Sequence, residues 1–410
     1  MKLLLSAYAC APNRGSDHGV GWSWTTEAHR LGHEVWALVS PAHHDSITSA
    51  CHDNPELSGI HWIFPEVRGW PLKPAIEPRW ERTYNLLWQR AALRHARGLH
   101  RQVGFDAVHH ITWGGIRAPT FLGSLGIPLI IGPIGGGETS PVSLRDGLGT
   151  RGRLVERIRD LSTATISINP LVRPGHKAAK TIFAHTADTK NLFSAPLRDK
   201  VVIFTPVSLS KRPPADTVHI RPGTARLLYA GRLLYWKGVH IALRAFAEVA
   251  SRVPDAHFTI VGDGPERSRL EADASRYGVQ GKVDFISRMP QDKLFELYGN
   301  HTIFLFPSLH DAGGMVVMEA MAHGMPVICL DLGGPRELVT PDCGVVVETK
   351  DHNTAEVAAA MAGQICRLLE TPTELARLSA GALARAHEFV VTDRVREFYG
   401  IALKSVVKND

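Results

Sequence analysis

Between residues 303 and 347 the chain runs twice through one pattern: a short apolar run, a glycine-bearing loop and a helical segment. Ile303, Phe304, Leu305 and Phe306 form the first run, 307–314 is the loop, and 315–322 reads as a short, almost wholly apolar helix. Gly324 stands where a helix end favours positive φ. Val327 to Leu330 is the next run, Gly333-Gly334 the next turn, and Pro335 suits the first position of the following helix. Strands this short and continuously apolar, joined by helices, belong to a parallel, doubly wound sheet. Such sheets bind ligands beyond the carboxyl ends of their strands.

The loop at 307–314 has the chemistry of an anion site. Gly313-Gly314 lets backbone approach a ligand, and the N–H groups of Met315 and Val316 begin a helix without intrahelical acceptors. Asp311 precedes them. Glu319 follows about 6 Å along the helix axis, a span that suits a nucleoside diphosphate, with its phosphates on the helix start and its ribose on Glu319. The plainer reading makes Asp311 a loop cap and Glu319 a solvated helix residue. Against it, Val316, Val317, Met318, Ala320 and Met321 surround Glu319, and a carboxylate in such company needs a partner.

At 410 residues the chain is too long for one ordinary core. The unit just described is preceded by others of the same kind, so the expected fold class is α/β with two Rossmann-like domains. The expected division is an N-terminal domain at 1–209, a linker at 210–224 (Ser210-Lys211-Arg212-Pro213-Pro214 opens it), a C-terminal domain at 225–390 and a last helix at 391–410 returning to the first domain. In the first half, strands are expected near 3–8, 35–39, 60–64, 107–111, 129–131, 181–184 and 201–204. A glycine-rich loop with Gly15, Gly19 and Gly21 leads into a helix expected at 22–31. These glycines lack the G-x-G-x-x-G spacing of a dinucleotide site. His109 and His110 close one strand, and Gly135-Gly136-Gly137 follows another, a costly run unless something must approach the backbone. In the second half Arg232 and Lys237 share a loop after a strand and could bracket a diphosphate. The alternative is two ordinary surface charges.

A hydrophobic content of 44% and a charged content of 21% are those of a globular chain. The start of the chain has no secretory pattern, and the five cysteines have no metal spacing, so a reducing, cytoplasmic setting is expected. The net charge of +6 allows an anionic partner. From Glu66 to Arg101 eight Arg or Lys face three Glu, interleaved with Trp70, Trp80, Tyr84 and Trp88, and a second basic run holds Arg151, Arg153, Arg157 and Arg159. Both runs, assigned to the first domain, could dock peripherally on the inner, anionic face of a membrane. The bland alternative is tryptophans in the core and solvated arginines.

Taken together, A-G-R-x4-K-G from Ala230, V-G-D-G-P-E from Val261, an acid and a glutamate at Asp311 and Glu319, E-A-M-A-x-G-x-P-V from Glu319 and G-G-x-x-E from Gly333 resemble family 4 (group 1) of the retaining nucleotide-sugar glycosyltransferases. The resemblance is close over 227–347 and looser in the first half, through G-S-D-x-G-V-G-W from Gly15. It implies the GT-B fold, two Rossmann-like domains facing each other across a cleft, with the acceptor on the first domain and a UDP- or GDP-sugar on the second. It implies that Arg232 and Lys237 neutralise the diphosphate and that Asp311 meets the sugar hydroxyls. Gly314, Met315 and Val316 would offer N–H groups, Glu319 would hold the ribose, and Ser287-Arg288 would lie against the base. Gly15, Gly135 and Gly136 would face the donor from the first domain.

Three departures stand out. Asp311 replaces the usual glutamate and Ser287 a usual glycine. The family's histidine after the fifth strand is absent, and His110 might serve instead. No Asp-x-Asp occurs, so the expected reaction is retaining, metal-independent transfer to a sugar, lipid-linked or other hydroxyl acceptor, with no cofactor and no nucleic-acid partner. A sugar-nucleotide epimerase of the same fold and a non-catalytic sugar-nucleotide-binding protein are the competing readings.

Overall fold

A computed structural model describes residues 1–70, 78–146, 148, 150–214 and 225–407. The chain divides into two compact units. The first comprises Met1–Gly137, Ser162–Pro206 and Val391–Asp410, and the second Glu138–Leu161 and Val207–Val390. Each is a parallel sheet of the Rossmann type, as the apolar runs require.

In the first unit, β1 (Lys2–Ala7), β2 (Glu34–Leu38), β3 (His61–Ile63), β4 (Ala107–Thr112), β5 (Leu129–Ile134), β6 (Ala179–Ala184) and β7 (Val201–Ile203) form one sheet in the order β3-β2-β1-β4-β5-β6-β7. The order reverses between β1 and β4, which places the switch point of this sheet beside the loops that follow those two strands. The first helix spans Ser16–Arg30, beginning six residues before the expected start. Of the glycines that suggested a long loop, Gly15 caps this helix and Gly19 and Gly21 lie inside its first turns. Gly21 is there because a Cβ would stand 2.0 Å from the Ala9 carbonyl oxygen, so the helix can press directly on the chain leaving β1.

The last helix, Val391–Ala402, belongs to this unit. Phe398 lies with its ring 4.1 Å from that of Phe183 and 4.8 Å from that of His109. His109 is wholly buried and fully used: its Nε2–H donates to the Gly132 carbonyl at 2.6 Å, and its Nδ1 accepts from the Tyr399 hydroxyl at 2.9 Å. Burial pushes its pKa down to about 3, so the ring is neutral. On the other face, the helix Pro78–Val103 buries Tyr84 and Trp88. Those two aromatics are core residues, which removes them from the expected membrane face; Trp80 alone of that helix's aromatics is exposed. Residues 71–77 of the same basic stretch lie outside the described residues.

In the second unit, β8 (Arg226–Ala230), β9 (His257–Val261), β10 (Val283–Ile286), β11 (Ile303–Phe306), β12 (Val327–Leu330) and β13 (Gly344–Val347) form a parallel sheet in the order β10-β9-β8-β11-β12-β13. Its order reverses between β8 and β11. Gly324 takes the expected positive φ, 70°. Pro335 is the third residue of its helix, Gly333–Leu338, rather than the first.

The first domain is not the continuous 1–209 expected. Glu138–Leu161 groups with the second unit, and the later crossing falls between Pro206 and Val207. Leu144 joins the second unit's core, and the Thr354 hydroxyl donates to Asp146 Oδ1 at 2.5 Å. Sequence distance hid this: the segment follows β5 directly in the chain. Of the expected linker, 215–224 lies outside the described residues. No helix among the described residues is long and apolar enough to cross a membrane.

Phe398→Ala should open a cavity in the first unit and cost about 3–5 kcal/mol. Tyr399→Phe should cost about 1–3 kcal/mol by leaving His109 Nδ1 buried without a donor. Urea unfolding followed at Trp24, whose ring lies 4.8 Å from Phe398, measures both. Unchanged midpoints would mean the terminal helix is not integral to this core.

Candidate functional site

The carboxyl ends of β8 and β11 carry the two loops in which the sequence concentrated its candidates. After β8 the chain passes Arg232 and makes a single turn at Tyr235–Lys237. Gly238 then takes φ 67°, with its missing Cβ only 1.9 Å from the Pro307 carbonyl oxygen. A side chain there would push the loops apart. Without one they are tied together. Leu309 N–H donates to the Trp236 carbonyl at 2.7 Å, and Lys237 Nζ donates to Asp311 Oδ2. Lys237 also lies 5.4 Å over the Phe306 ring. The other oxygen of Asp311 accepts the Gly313 N–H at 3.2 Å, and its carbonyl accepts the Gly334 N–H at 2.6 Å. Asp311 therefore organises three loops. Arg232, by contrast, is exposed and has no ion-pair partner among the described residues.

The helix Met315–Ala322 starts at Gly314, which has φ 120° and no side-chain cap. Its first internal bonds run from the Val317 and Met318 N–H groups to the Gly314 carbonyl. Those of Met315 and Val316 have no acceptor within the described chain, which suits an external anion. Glu319 does have the partner its apolar neighbours demanded. Gln291, on the helix Gln291–Tyr298, donates to its Oε1 at 2.8 Å. Burial raises the Glu319 pKa, opposed by Gln291 and by the nearby Tyr298 hydroxyl. Nothing in the sequence pointed to Gln291, which is 28 residues away. Ser287 and Arg288 form an exposed turn after β10, held by the Arg288 N–H on Asp263 Oδ2 at 2.9 Å and by Arg267 on the Ser287 hydroxyl at 3.3 Å.

A second cluster, absent from the sequence reading, adjoins the first. His310 stacks on Trp236 with ring centroids 5.3 Å apart, so each partner precedes a residue of the Lys237–Asp311 pair. Arg159 Nη1 donates to His310 Nδ1 at 3.1 Å, which leaves the ring proton on Nε2, 3.8 Å from Glu156 Oε1. Burial first, then the charges of Arg159, Lys237 and Arg145, push the His310 pKa down to about 3. Arg145 holds Asp160 through two bonds of 2.7 and 3.0 Å and lies 3.9 Å from Glu156. Arg145, Glu156 and Arg159 all come from the segment that the sequence reading had placed in the first domain.

Residues 216–382 match the family described as Glycosyl transferases group 1. The chain carries a group 1 glycosyltransferase domain. Over 185 residues it is 35% identical to the D-inositol 3-phosphate glycosyltransferase of Acidothermus cellulolyticus, a stretch that is 43% of this chain and 40% of that protein. The chain spans less than half the length of the first curated relatives it matches. Among solved structures, the sucrose-phosphate synthase of Thermosynechococcus elongatus superposes with a TM-score of 0.61 at 17% identity, covering 98% of each chain. The Anabaena protein HepE in complex with UDP gives 0.60 at 14% identity, covering 98% of this chain and 100% of its own. These likenesses establish the GT-B fold.

The first unit holds the remaining candidates. Gly15 caps the first helix in extended backbone, with open space where a Cβ would be. The steric need for glycine in that stretch falls on Gly19 and Gly21, whose Cβ atoms would stand 2.3 Å from the Arg14 and 2.0 Å from the Ala9 carbonyl oxygens. His110 is buried in β4, with Nδ1 3.1 Å from the Ser6 hydroxyl and a pKa pushed down to about 4 by burial. It is a packed strand residue, and nothing in the first unit brings it to a surface. Gly135 is tied by backbone bonds of 2.8 Å to Gly114 and Ile116, and the Gly136 carbonyl accepts from Arg117 at 2.7 Å.

The raised pKa of Glu319 has a definite sign. The folded state holds that proton more tightly than the unfolded chain does. The stabilising effect is full below the ordinary glutamate value and is lost as pH rises through the raised one. Glu319→Gln should therefore flatten the decline of the unfolding midpoint above about pH 4.5. Identical pH profiles for the two proteins would contradict a half-buried carboxyl held by Gln291.

Proposed function

We propose that the protein transfers a sugar from a nucleoside-diphosphate donor, UDP- or GDP-linked, to a hydroxyl of a sugar, lipid-linked or other acceptor, with retention and without a metal. The observation that carries this reading is the convergence at one switch point. Lys237, Arg232 and the Met315 and Val316 N–H groups gather at the ends of β8 and β11, and Glu319 stands one helical turn beyond. The presence of UDP in the HepE structure, which has the same fold, supports a nucleotide there.

The reaction needs a stabilised leaving diphosphate and an oxocarbenium-like transition state. Arg232, with no competing partner among the described residues, meets one phosphate. Lys237 leans from Asp311 towards the other, and the helix start supplies the remaining donors. Asp311 has two tasks. It holds Lys237 in place and, once the phosphate draws that ammonium away, accepts hydrogen bonds from the sugar hydroxyls. Its side chain, one methylene shorter than the usual glutamate, is compensated by the close packing of its loop on Gly238. Glu319 accepts from the ribose, with Gln291 fixing its orientation. Retention follows from attack by the acceptor on the face from which the diphosphate departs.

Loss of one charged hydrogen bond costs about 1.5–3 kcal/mol, so Lys237→Ala and Glu319→Gln should each weaken UDP or GDP binding roughly ten- to a hundredfold. Calorimetry on the two variants measures this, and wild-type affinity in both refutes the site. For the chemistry, nucleotide sugars are screened for release of UDP or GDP in excess chelator, and the product anomer is read by NMR. Turnover that vanishes with chelator and returns with Mg²⁺ or Mn²⁺ overturns the metal-free reading. An inverted anomer overturns retention.

A further inference from the structure

The helix Thr150–Ala164 is built inside out. Its charged residues Glu156, Arg159 and Asp160 turn towards the protein, where they meet Arg145 and His310. Its aliphatic residues turn to water. Leu154, Val155, Ile158 and Leu161 recur at helical spacing on one stripe, and each is more than half exposed. These are branched side chains of the kind that drive burial, arranged together and each left more than half exposed by the described residues. Single exposed leucines are ordinary, whereas a contiguous stripe of four marks a contact surface.

The charge around the stripe has one sign. Arg153 and Arg157 flank it on the outward side, both exposed, and Arg157 has no ion-pair partner among the described residues. The helix's two acids, Glu156 and Asp160, are the ones turned inward to Arg145. From Leu161 to Ala187 the sequence contains no further acid. The outward face is thus aliphatic at its centre and cationic at its border. It has no aromatic anchor, and the one acid at its edge, Asp160, with a side chain 39% exposed, is already held by Arg145. A single convex helix face of this composition matches the boundary between anionic headgroups and acyl chains, where aliphatic side chains enter the hydrocarbon and arginines stay with the phosphates.

We propose that this stripe is a membrane-docking face, with Leu154, Val155, Ile158 and Leu161 entering the interfacial layer of an anionic bilayer and Arg153 and Arg157 pairing with its headgroups. The buried network of Arg145, Glu156, Asp160, Arg159 and His310 is what turns the helix this way round. It gives the polar face of the helix a place to be satisfied inside the protein. The docking face does not depend on which sugar or acceptor is used, and its test is independent of turnover.

The test is co-sedimentation of the full chain with vesicles of phosphatidylcholine alone or mixed with phosphatidylglycerol. Wild type should bind the anionic vesicles only. Binding should weaken as salt rises from 0.1 to 1 M and the Debye length falls from about 10 to about 3 Å. Leu154→Gln combined with Ile158→Gln and Leu161→Gln should abolish binding. Arg153→Gln with Arg157→Gln should weaken it about twentyfold or more, at roughly fivefold per basic residue. UDP and GDP affinity, measured on the same variants, should stay at the wild-type value and certify that they are folded. Binding unaffected by both sets of substitutions, or no binding by wild type, overturns the proposal. So does a concentration-dependent dimer of the wild type that the glutamine variant dissociates, since the stripe would then be a self-interface.

Discussion

The Lys237–Asp311 pair is the interaction that ties the second unit's switch-point loops together. It joins the loop after β8 to the loop after β11, the two strands between which the sheet reverses direction. The pair forms only because Gly238 allows the loops to meet at the Pro307 carbonyl. Around it sit two aromatic supports, Phe306 beneath the ammonium and the Trp236–His310 stack at its side. A half-buried ion pair of this kind adds little net stability, because desolvation offsets most of the attraction. Its value is placement. An ammonium held by one carboxylate is already dehydrated and oriented, and exchanging that partner for a phosphate needs little rearrangement.

Neighbouring His310 shows how the same environment sets charge. Three cations and a buried position keep its ring neutral, although Glu156 lies 3.8 Å away and would otherwise favour protonation. Glu319 is treated in the opposite sense, with burial pressing its carboxyl towards the protonated form and Gln291 restraining the shift. Burial thus acts on both groups against their charged forms, lowering the His310 pKa and raising that of Glu319.

The sequence made some of this legible and hid the rest for identifiable reasons. The four-residue apolar runs located β11 and β12, because strands buried on both faces leave no other pattern. The demand that Glu319 have a partner was also readable, from its apolar neighbours. That the partner is Gln291 was not, since a side-chain contact between two helices leaves no periodicity. The first helix was placed late because Gly15, Gly19 and Gly21 look like loop residues, and only the close approaches of Gly19 to Arg14 and of Gly21 to Ala9 explain glycines inside helical turns. Arg145 and Glu156 escaped notice, and Arg159 was read only as a member of a basic run. They follow β5 in the chain yet fold with the second unit, a long-range choice that no local signal encodes. The basic run was read for its arginines; that its leucines, valine and isoleucine stand exposed between them was not visible in the sequence.

The excursion of Glu138–Leu161 and the return of Val391–Asp410 mean that the chain passes between the two units four times. During synthesis neither unit is complete when its last strand emerges. The first unit has all seven strands once Ile203 is made, but Phe183 and His109 face an unfilled core until Phe398 and Tyr399 follow. At roughly 5–20 residues per second, the making of Val207–Val390 imposes a wait of roughly ten to forty seconds. Through that interval an aromatic pocket in the nascent protein is open to water and to other chains. Such a chain needs a companion that shields the pocket, or enough solubility from its basic surface to outlast the delay.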